Sequence, residues 1–327
     1  MAHIVVENLV KTFEVAERQA GMWGAVRGLV RRTHRTVHAL DGISFELKPG
    51  ELVGYIGPNG AGKSTTVKTL AGILVPTSGH CEVLGRVPWK ERTAHVQQIG
   101  VVFGQRTQLW WDLPVVESFD LLRDIYRVPA DRYRVLRDEL TDRLNLGSLL
   151  DTPVRQLSLG QRMRCDLAAS LLHEPPLIFL DEPTIGLDAV SKLAVREFIQ
   201  RLNRERGVTV ILTTHDMDDI EALCTRVIVI GGGRILSDGT LDDLRDRVTR
   251  ERWLLLDLED PQLILEDPDA EVLRRDGQRV TLRFDPARVS PAQLISRLTA
   301  RYPIRDLFVQ NPPIEEIIAR LYGEHEG

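Results

Sequence analysis

Two segments near the N-terminus alternate apolar and polar residues as half-buried β-strands do. The first is residues 3–13, and the second is residues 43–49, which ends at a Pro-Gly pair. A period of two places every second side chain on the same face of a sheet. We therefore predict that the two segments pair in a small antiparallel sheet.

The residues between these segments, 14–38, follow a different pattern. Met22, Val26 and Leu29 recur at helical spacing, and several arginines surround them. The arginines are Arg18, Arg27, Arg31, Arg32 and Arg35. This pattern predicts a short basic amphipathic insertion. It either packs on the surface of its own domain or contacts a partner or a membrane surface, and the sequence leaves both interpretations open.

Apolar runs alternate with helical periodicity through most of the remaining chain. The predicted strands are residues 51–56, 99–103, 177–182, 208–214, 226–230 and 234–236. The predicted helices cover residues 65–73, much of 115–150, a segment capped by Ser158, the residues from about 189 to 202, and residues 218–223. This alternation predicts an α/β fold with a largely parallel sheet, and it places a helical subdomain at about residues 104–172.

The composition changes after about residue 245. Strands are predicted at residues 250–261, 279–284 and 306–309, and helices at residues 291–302 and 313–322. We interpret residues 246–327 as a small α+β domain that follows a main domain of residues 1–245.

Composition narrows the class of protein. Of 327 residues, 43% are hydrophobic and 27% charged, so a large core is possible, and the net charge of −5 does not favour nucleic acid as a partner. Cys81, Cys165 and Cys224 lack metal-binding spacing and fit a reducing compartment. No apolar run is long enough to span a membrane, and no signal-peptide pattern begins the chain.

A glycine-rich segment connects the strand at residues 51–56 to the helix that follows. It has the full phosphate-binding loop pattern, with four free positions between Gly57 and Gly62 and then Lys63 and Ser64. Glycines let backbone N–H groups turn towards a phosphate chain, and the helix adds the positive end of its dipole. Lys63 can reach the outer phosphates and the Ser64 hydroxyl can bind Mg²⁺, so the segment predicts a nucleoside triphosphate site.

Further polar residues end other predicted strands. Asp181 and Glu182 close one apolar strand, and His215 follows another. Ligands of parallel sheets bind at the carboxyl ends of the strands. We therefore expect Ser64, Asp181, Glu182 and His215 to lie close together.

These motifs occur in an order that resembles an ATP-binding cassette (ABC) ATPase domain over about residues 3–240. The matching segments are the phosphate loop and residues 157–161, 177–182, 186–188 and 214–215. The resemblance implies a P-loop NTPase cassette with a mixed-sheet core, an N-terminal antiparallel β-subdomain and a helical subdomain, here with the α+β domain appended. It implies ATP and Mg²⁺ as cofactors.

The resemblance also implies a role for each candidate residue. Asp181 would hold Mg²⁺ with Ser64, Glu182 would act as general base towards water, and His215 would contact the γ-phosphate. The nucleotide-contacting residues of the phosphate loop would be Gly57, Pro58, Asn59, Gly60, Ala61, Gly62, Lys63, Ser64 and Thr65. Phe13 would stack on adenine, and Asp188 would organise a contact between two protomers.

Two positions depart from the family pattern. Leu159 stands where the signature usually has glycine, but Ser158, Gly160 and Gln161 remain and would contact the nucleotide of the opposite protomer. The glutamine expected directly after Phe103 is displaced by Gly104. Gln105 is the candidate for the catalytic glutamine that senses Mg²⁺ and water, with Gln108 as the alternative.

Two further pairs of residues can be explained by the fold alone, without a role in function. Trp110 and Trp111 either belong to the core of the helical subdomain or form a groove for a helix of a membrane partner. Thr184 and Gly186 are interpreted as turn residues.

The resemblance implies the ATP-hydrolysing subunit of an ABC exporter, driven by ATP-dependent closure of a dimer, most simply a homodimer. Its partners would be separate transmembrane permease subunits, and it would lie peripherally at the cytoplasmic face of the cell membrane. The alternatives are an exporter of polysaccharide or lipid-linked glycan, an importer subunit, and a soluble ABC ATPase without a transport role.

Overall fold

The computed structural model describes residues 2–16, 34–104 and 106–323 of the chain. Within it the chain divides into two compact units, Met1–Gly239 and Thr240–Gly327. The division comes a few residues before the predicted boundary at 245. Each unit has a sheet and a cluster of buried apolar residues of its own.

A six-stranded sheet forms the centre of the first unit. Its order is β5-β6-β7-β3-β8-β9, parallel except where β8 meets β9. The bounds are β3 Leu52–Ile56, β5 Ile99–Phe103, β6 Leu177–Asp181, β7 Thr209–Thr213, β8 Arg226–Gly231 and β9 Arg234–Gly239. Strands β3 and β7 are buried at every position, as expected for parallel strands covered on both faces. The predicted mixed-sheet core is therefore present.

A second, antiparallel sheet has the order β2-β1-β4, with β1 Ile4–Ala16, β2 His34–Leu47 and β4 Ser78–Val83. It contains the predicted pairing of the two N-terminal segments, but the pairing runs further than expected, to Ala16 opposite His34. The two ends of the 14–38 segment are therefore strand. The predicted basic amphipathic helix, with Met22, Val26 and Leu29, lies outside the described residues.

Helices follow the strands of the first unit in the predicted alternation. They are α1 Lys63–Leu70, α2 Arg92–Val96, α3 Val115–Tyr126, α4 Ala130–Arg143, α5 Leu159–Leu171, α6 Ala189–Arg206 and α7 Met217–Leu223. Helices α3, α4 and α5 come between β5 and β6, where the sequence predicts a helical subdomain. A shared apolar cluster packs α1 against both sheets and so fixes the phosphate loop at its start.

The second unit is an antiparallel sheet packed against a helix. Its strands are β10 Arg252–Leu258, β11 Ala270–Asp276, β12 Arg279–Phe284 and β13 Ile304–Gln310, in the order β11-β12-β10-β13. Its helices are α8 Leu241–Val248, α9 Pro291–Arg301 and α10 Ile314–Gly323. Leu254, Leu256 and Leu282 of the sheet and Leu294 and Leu298 of α9 are buried together. This is the α+β architecture expected from the sequence.

Two elements of this unit were not predicted. Helix α8 begins with a capping box in which Thr240 and Asp243 bond each other's backbone N–H groups, and this Thr-x-x-Asp signal was readable in the sequence. Strand β11 is exposed or half-exposed along its whole length, so it lacks the apolar alternation that identifies a strand.

Candidate nucleotide-binding site

A cavity of about 730 Å³ opens at the carboxyl ends of the central strands. Its walls include nine of the predicted residues: Asn59, Gly60, Gly62, Lys63, Ser64, Thr65, Asp181, Glu182 and His215. The other lining residues are Ala39, Lys68, Ile73, Phe103, Gly104, Arg106 and Ile185. The expected convergence of Ser64, Asp181, Glu182 and His215 is thus present in one cavity.

The phosphate loop reaches helix α1 through Gly62. This residue is the N-cap of α1 with φ +111°, and a Cβ there would lie 2.5 Å from the carbonyl oxygen of Ala39. A side chain at this position would face both an unfavourable backbone conformation and a steric clash. The glycine therefore allows α1 to start directly against β2, with its free N–H groups directed at the cavity.

The Lys63 ammonium is folded into the loop. Its Nζ donates to the carbonyl oxygens of Gly57 at 2.6 Å and Pro58 at 3.2 Å, and the residue is 8% exposed. Burial lowers the pKa of Lys63 from its ordinary value, and the carboxylates of Glu182 and Asp181 oppose that change. The two carboxylates therefore favour the charged form, the form that attracts a phosphate.

Asp181 and Glu182 leave the end of β6 with separate partners. The Thr213 hydroxyl donates to Asp181 Oδ1 at 2.5 Å, and His215 Nδ1 lies 2.6 Å from Glu182 Oε2. Asp181 and Ser64 line the same cavity and offer the oxygen donors that Mg²⁺ prefers. These residues fit a magnesium ion that takes most of its ligands from phosphate and water.

The backbone of Glu182 is unusual. Its φ is +57°, in the left-handed region that side-chain-bearing residues rarely adopt, which costs about 1–3 kcal/mol. Its N–H donates to the Thr213 carbonyl at 2.9 Å, and its own carbonyl accepts from Ile185 N–H at 3.3 Å. Surrounding contacts must supply that energy, and such compensated strain is typical of functional sites.

The same backbone explains why glycine follows Phe103. Gly104 N–H donates to the Asp181 carbonyl at 2.7 Å, and a Cβ on Gly104 would lie 2.2 Å from the Glu182 carbonyl oxygen. The inserted glycine that displaces the expected glutamine thus permits close approach of the two chain segments.

Gln105, the first candidate for the catalytic glutamine, lies outside the described residues. The alternative, Gln108, has its side chain engaged elsewhere: Nε2 donates to the backbone carbonyl of Asp166 at 2.9 Å. Asp166 Oδ1 in turn accepts from Thr107 Oγ1 at 2.8 Å and from Gln108 N–H at 3.1 Å. Gln108 therefore binds helix α5 and is absent from the cavity wall, which leaves Gln105 as the candidate.

The signature residues lie outside the cavity wall. Ser158 caps α5 as predicted, and its Oγ accepts from Gln161 N–H at 3.2 Å while Gln161 Oε1 accepts from Ser158 N–H at 2.8 Å. Ser158 is exposed, whereas Gly160 is buried. The single chain does not bring Ser158, Gly160 or Gln161 to its own phosphate loop, since none of them lines the cavity.

Asp188 is the N-cap of α6. Its carboxylate accepts from Ser191 N–H at 2.9 Å and from Ser191 Oγ at 2.7 Å. The hydrogen bond from the Ser191 backbone, followed by that from its hydroxyl, lowers the pKa of Asp188 below its ordinary value. Asp188 is therefore held as a charged cap, and like the signature residues it lies outside the cavity wall.

Phe13, Trp110 and Trp111 are the aromatic residues for which the sequence suggested a function. Phe13 pairs with Val37 in the sheet and its ring centroid lies 5.0 Å from the Lys11 ammonium; it is absent from the cavity wall, so its role with adenine stays a prediction. Trp110 and Trp111 are 39% and 51% exposed. The interpretation of both tryptophans as core is therefore wrong.

Sequence reasoning missed a contact of Thr184. This residue is not merely part of a turn: it is 2% exposed, and its hydroxyl donates to Asp219 of helix α7. Asp219 carried no motif signal, because two of its three partners, Thr184 and Arg196, lie more than twenty residues away in sequence. An acid three or four residues after a strand-end histidine was the available hint.

The chain is similar to ATP-binding proteins of ABC transporters. The profile of the ABC transporter family matches residues 40–185. The chain is 33% identical over 298 residues to the Nod factor export ATP-binding protein I of Rhizobium etli, covering 90% of this chain and 92% of that protein. It is also 38% identical over 209 residues to the probable multidrug ABC transporter ATP-binding protein YbhF of Escherichia coli. That alignment covers 63% of this chain but only 35% of YbhF, so the chain spans about a third of the length of this relative.

A solved structure shows the same fold. The ATP-binding cassette MJ0796, in a dimeric post-hydrolysis state bound to ADP and Pi, is 26% identical with a TM-score of 0.60. The alignment covers 73% of this chain and 98% of that one. The predicted cassette fold is confirmed.

Proposed function

Because the chain belongs to the ABC transporter family and carries its ATPase domain, we propose that it is the ATP-hydrolysing subunit of an exporter with a separate membrane permease. The observation that carries the proposal is one cavity lined by Lys63, Ser64, Asp181, Glu182 and His215. Phosphate-binding groups, magnesium ligands and a general base therefore converge where a bound triphosphate would end.

The residues divide the work of phosphoryl transfer among them. The phosphate loop and Lys63 would bind the phosphates. Ser64 and Asp181 would hold Mg²⁺, which would neutralise the negative charge that develops on the phosphate oxygens. Glu182 would take a proton from the attacking water, and His215, 2.6 Å from its carboxylate, would orient it and contact the γ-phosphate. Positioning and charge stabilisation are the main terms in such a reaction.

Two copies of the chain would be needed for a complete site. The N-terminus of α5, where Ser158 is exposed and Gly160 and Gln161 follow, carries backbone N–H groups suited to a phosphate but lies outside the chain's own cavity. We propose that it closes over the ATP of a second protomer, with Asp188 at the contact. The dimeric state of the cassette MJ0796 supports this arrangement.

Export is favoured by the names of relatives, one of which is a Nod factor export protein. Among the described residues, no helix combines the length and apolarity that a bilayer crossing requires. The exposed Trp110 and Trp111 would form part of the surface that receives a helix of the permease at the cytoplasmic membrane face.

Substitution Glu182→Gln tests the catalytic assignment. We expect ATP binding to persist, turnover to fall by a factor of about 100 or more, and an ATP-bound dimer to accumulate. Steady-state ATPase assays and light scattering after gel filtration measure these effects. Glu197→Gln, an exposed glutamate of α6, is the matched control. Full activity of the Glu182→Gln variant would overturn the assignment.

Capture of the full chain from native membranes in mild detergent tests the transport assignment. We expect an integral membrane permease to co-purify in a stoichiometric complex. Recovery of ribosomes or DNA, without a permease, would contradict it and favour a soluble ABC ATPase.

A further inference from the structure

Asp219 of helix α7 is a fully buried carboxylate, 0% exposed, that lies outside the cavity wall. Its Oδ1 accepts from Arg196 Nε at 2.5 Å. Its Oδ2 accepts from the Thr184 hydroxyl and, at 3.4 Å, from the Thr214 hydroxyl. A buried charge is stable only when it is paired and hydrogen-bonded, so these three partners are the reason Asp219 can be there.

The partners come from three segments that each carry a candidate functional residue. Thr184 follows Glu182 by two positions, and Thr214 directly precedes His215. Arg196 lies on α6, whose N-cap is Asp188. One carboxylate therefore bonds the turn after β6, the turn after β7 and the helix that starts at the expected protomer contact.

The Glu182–His215 distance depends on these two turns. Glu182 has a left-handed backbone, with φ +57°, that its surroundings must maintain. His215 is itself exposed, so its position comes from the backbone of its turn more than from packing of its ring. Thr184 and Thr214 are both buried, and Asp219 links their side chains across the two turns.

We propose that Asp219 is a positioning residue for ATP hydrolysis, which acts through Thr184 and Thr214 to hold Glu182 and His215 at hydrogen-bonding distance. Through Arg196 it connects that pair to helix α6. The inference rests on the proposed roles of Glu182 and His215. It adds a buried residue that lies outside the cavity wall.

The surroundings of Asp219 make Asn an informative substitution. Asn keeps the shape but replaces one carboxylate oxygen with an N–H donor, which faces either the hydroxyls or the Arg196 donor. Arg196 retains a second acceptor, Asp216 Oδ1 at 3.5 Å, while the other carboxylate oxygen of Asp216 pairs with Lys192. In Asp219→Asn the turns after β6 and β7 are therefore held together less firmly. Helix α6 keeps its contact with the start of α7 through the Arg196–Asp216 ion pair.

The first test compares Asp219→Asn with Asp218→Asn in the full chain. Asp218 is the exposed neighbour on the same helix, so the two variants lose the same charge. We expect kcat of Asp219→Asn to fall at least about tenfold, since small displacements of catalytic groups have such effects. Affinity for a fluorescent ATP analogue should stay within about twofold, as should all constants of Asp218→Asn.

The second test separates positioning from stability. The double variant Asp219→Leu with Arg196→Met replaces the ion pair with apolar side chains and leaves no acceptor for the two threonine hydroxyls, so the melting temperature should return towards that of the wild type. We expect kcat to stay low in this variant, because Thr184 and Thr214 have lost the acceptor that links the two turns. Recovery of kcat together with the melting temperature would overturn the proposal, as would a normal kcat for Asp219→Asn.

Glu182→Gln serves as the reference in both tests. If Glu182→Gln is active, the proposed function of the site fails. If Glu182→Gln is inactive while Asp219→Asn turns over normally, only the positioning role of Asp219 fails.

Discussion

At the scale of single residues, motif spacing predicted which residues form the site, but it did not predict their backbone conformations. Lys63, Ser64, Asp181, Glu182 and His215 were expected in one place, and all line the cavity. The left-handed backbone of Glu182 was not expected, because nothing in a Leu-Asp-Glu-Pro segment signals it. It is accompanied by a bond from the Glu182 N–H to the Thr213 carbonyl, which forms only when β6 and β7 are paired.

A prediction at this scale concerns Lys63→Ala. Loss of an ammonium that binds phosphate removes charged hydrogen bonds of about 1.5–3 kcal/mol, so ATP affinity should weaken roughly tenfold to hundredfold. Titration with a fluorescent ATP analogue measures it, and Lys48→Ala, at an exposed position, is the control. Unchanged affinity would mean that Lys63 serves only its bonds to Gly57 and Pro58.

At the scale of elements, helix α5 makes a polar contact that its apolar pattern did not predict. Its N-cap Ser158 was foreseen from the sequence and is confirmed. Its buried Asp166, which bonds Thr107 and Gln108, was not foreseen. A polar residue within an apolar helical face has no sequence signal that names its partners. Through Asp166, the helix that carries the signature also holds the segment after Gln105.

This contact predicts a pH-dependent stability. Burial raises the pKa of Asp166 to about 6, although Thr107 and Gln108 oppose this, so the folded chain binds a proton more tightly than the unfolded chain. Stability contributed by the protonated carboxyl is therefore lost as pH rises from the ordinary value of 3.8 to about 6. We expect Asp166→Asn to gain about 2 kcal/mol of unfolding free energy relative to wild type between about pH 4.5 and pH 7.5.

Denaturant unfolding of both chains at the two pH values measures this difference. Asp131→Asn, at an exposed position of α4, controls for the loss of one negative charge. A difference between Asp166→Asn and wild type that does not change with pH would contradict the expectation.

At the scale of the whole molecule, the phosphate loop and the signature lie in different places. The phosphate loop, Asp181, Glu182 and His215 meet in one cavity, whereas Ser158, Gly160 and Gln161 lie outside it. Helices α1 and α5 start from different parts of the first unit, and the N-terminus of α1 borders the cavity whereas that of α5 does not. We propose that a second copy related by two-fold symmetry supplies the signature to this cavity.

Complementation between two inactive variants tests this division. Lys63→Ala weakens phosphate binding and Ser158→Arg blocks the signature, so each variant alone should have little activity at ATP concentrations well below the Kd of Lys63→Ala. Their mixed dimer contains one intact site if signature and phosphate loop come from different chains. We expect co-expression to restore activity, roughly a quarter of wild type for random pairing and independent sites.

The control is a mixture of two Lys63→Ala chains with different affinity tags, which should stay inactive. No activity in the purified mixed dimer of Lys63→Ala and Ser158→Arg would show that each chain completes its own site.

Periodicity and motif spacing are local properties of the chain, so the sequence was enough to predict which elements form and which chemistry they carry. These predictions include the strand–loop–helix that binds phosphate, the acids that end β6, and the cap of α5. The backbone of Glu182, the exposure of Trp110 and Trp111, and the bond from Thr184 to Asp219 could be learned only from the folded chain. Those features depend on residues far apart in the sequence, and only the packing of strands and helices brings them into contact.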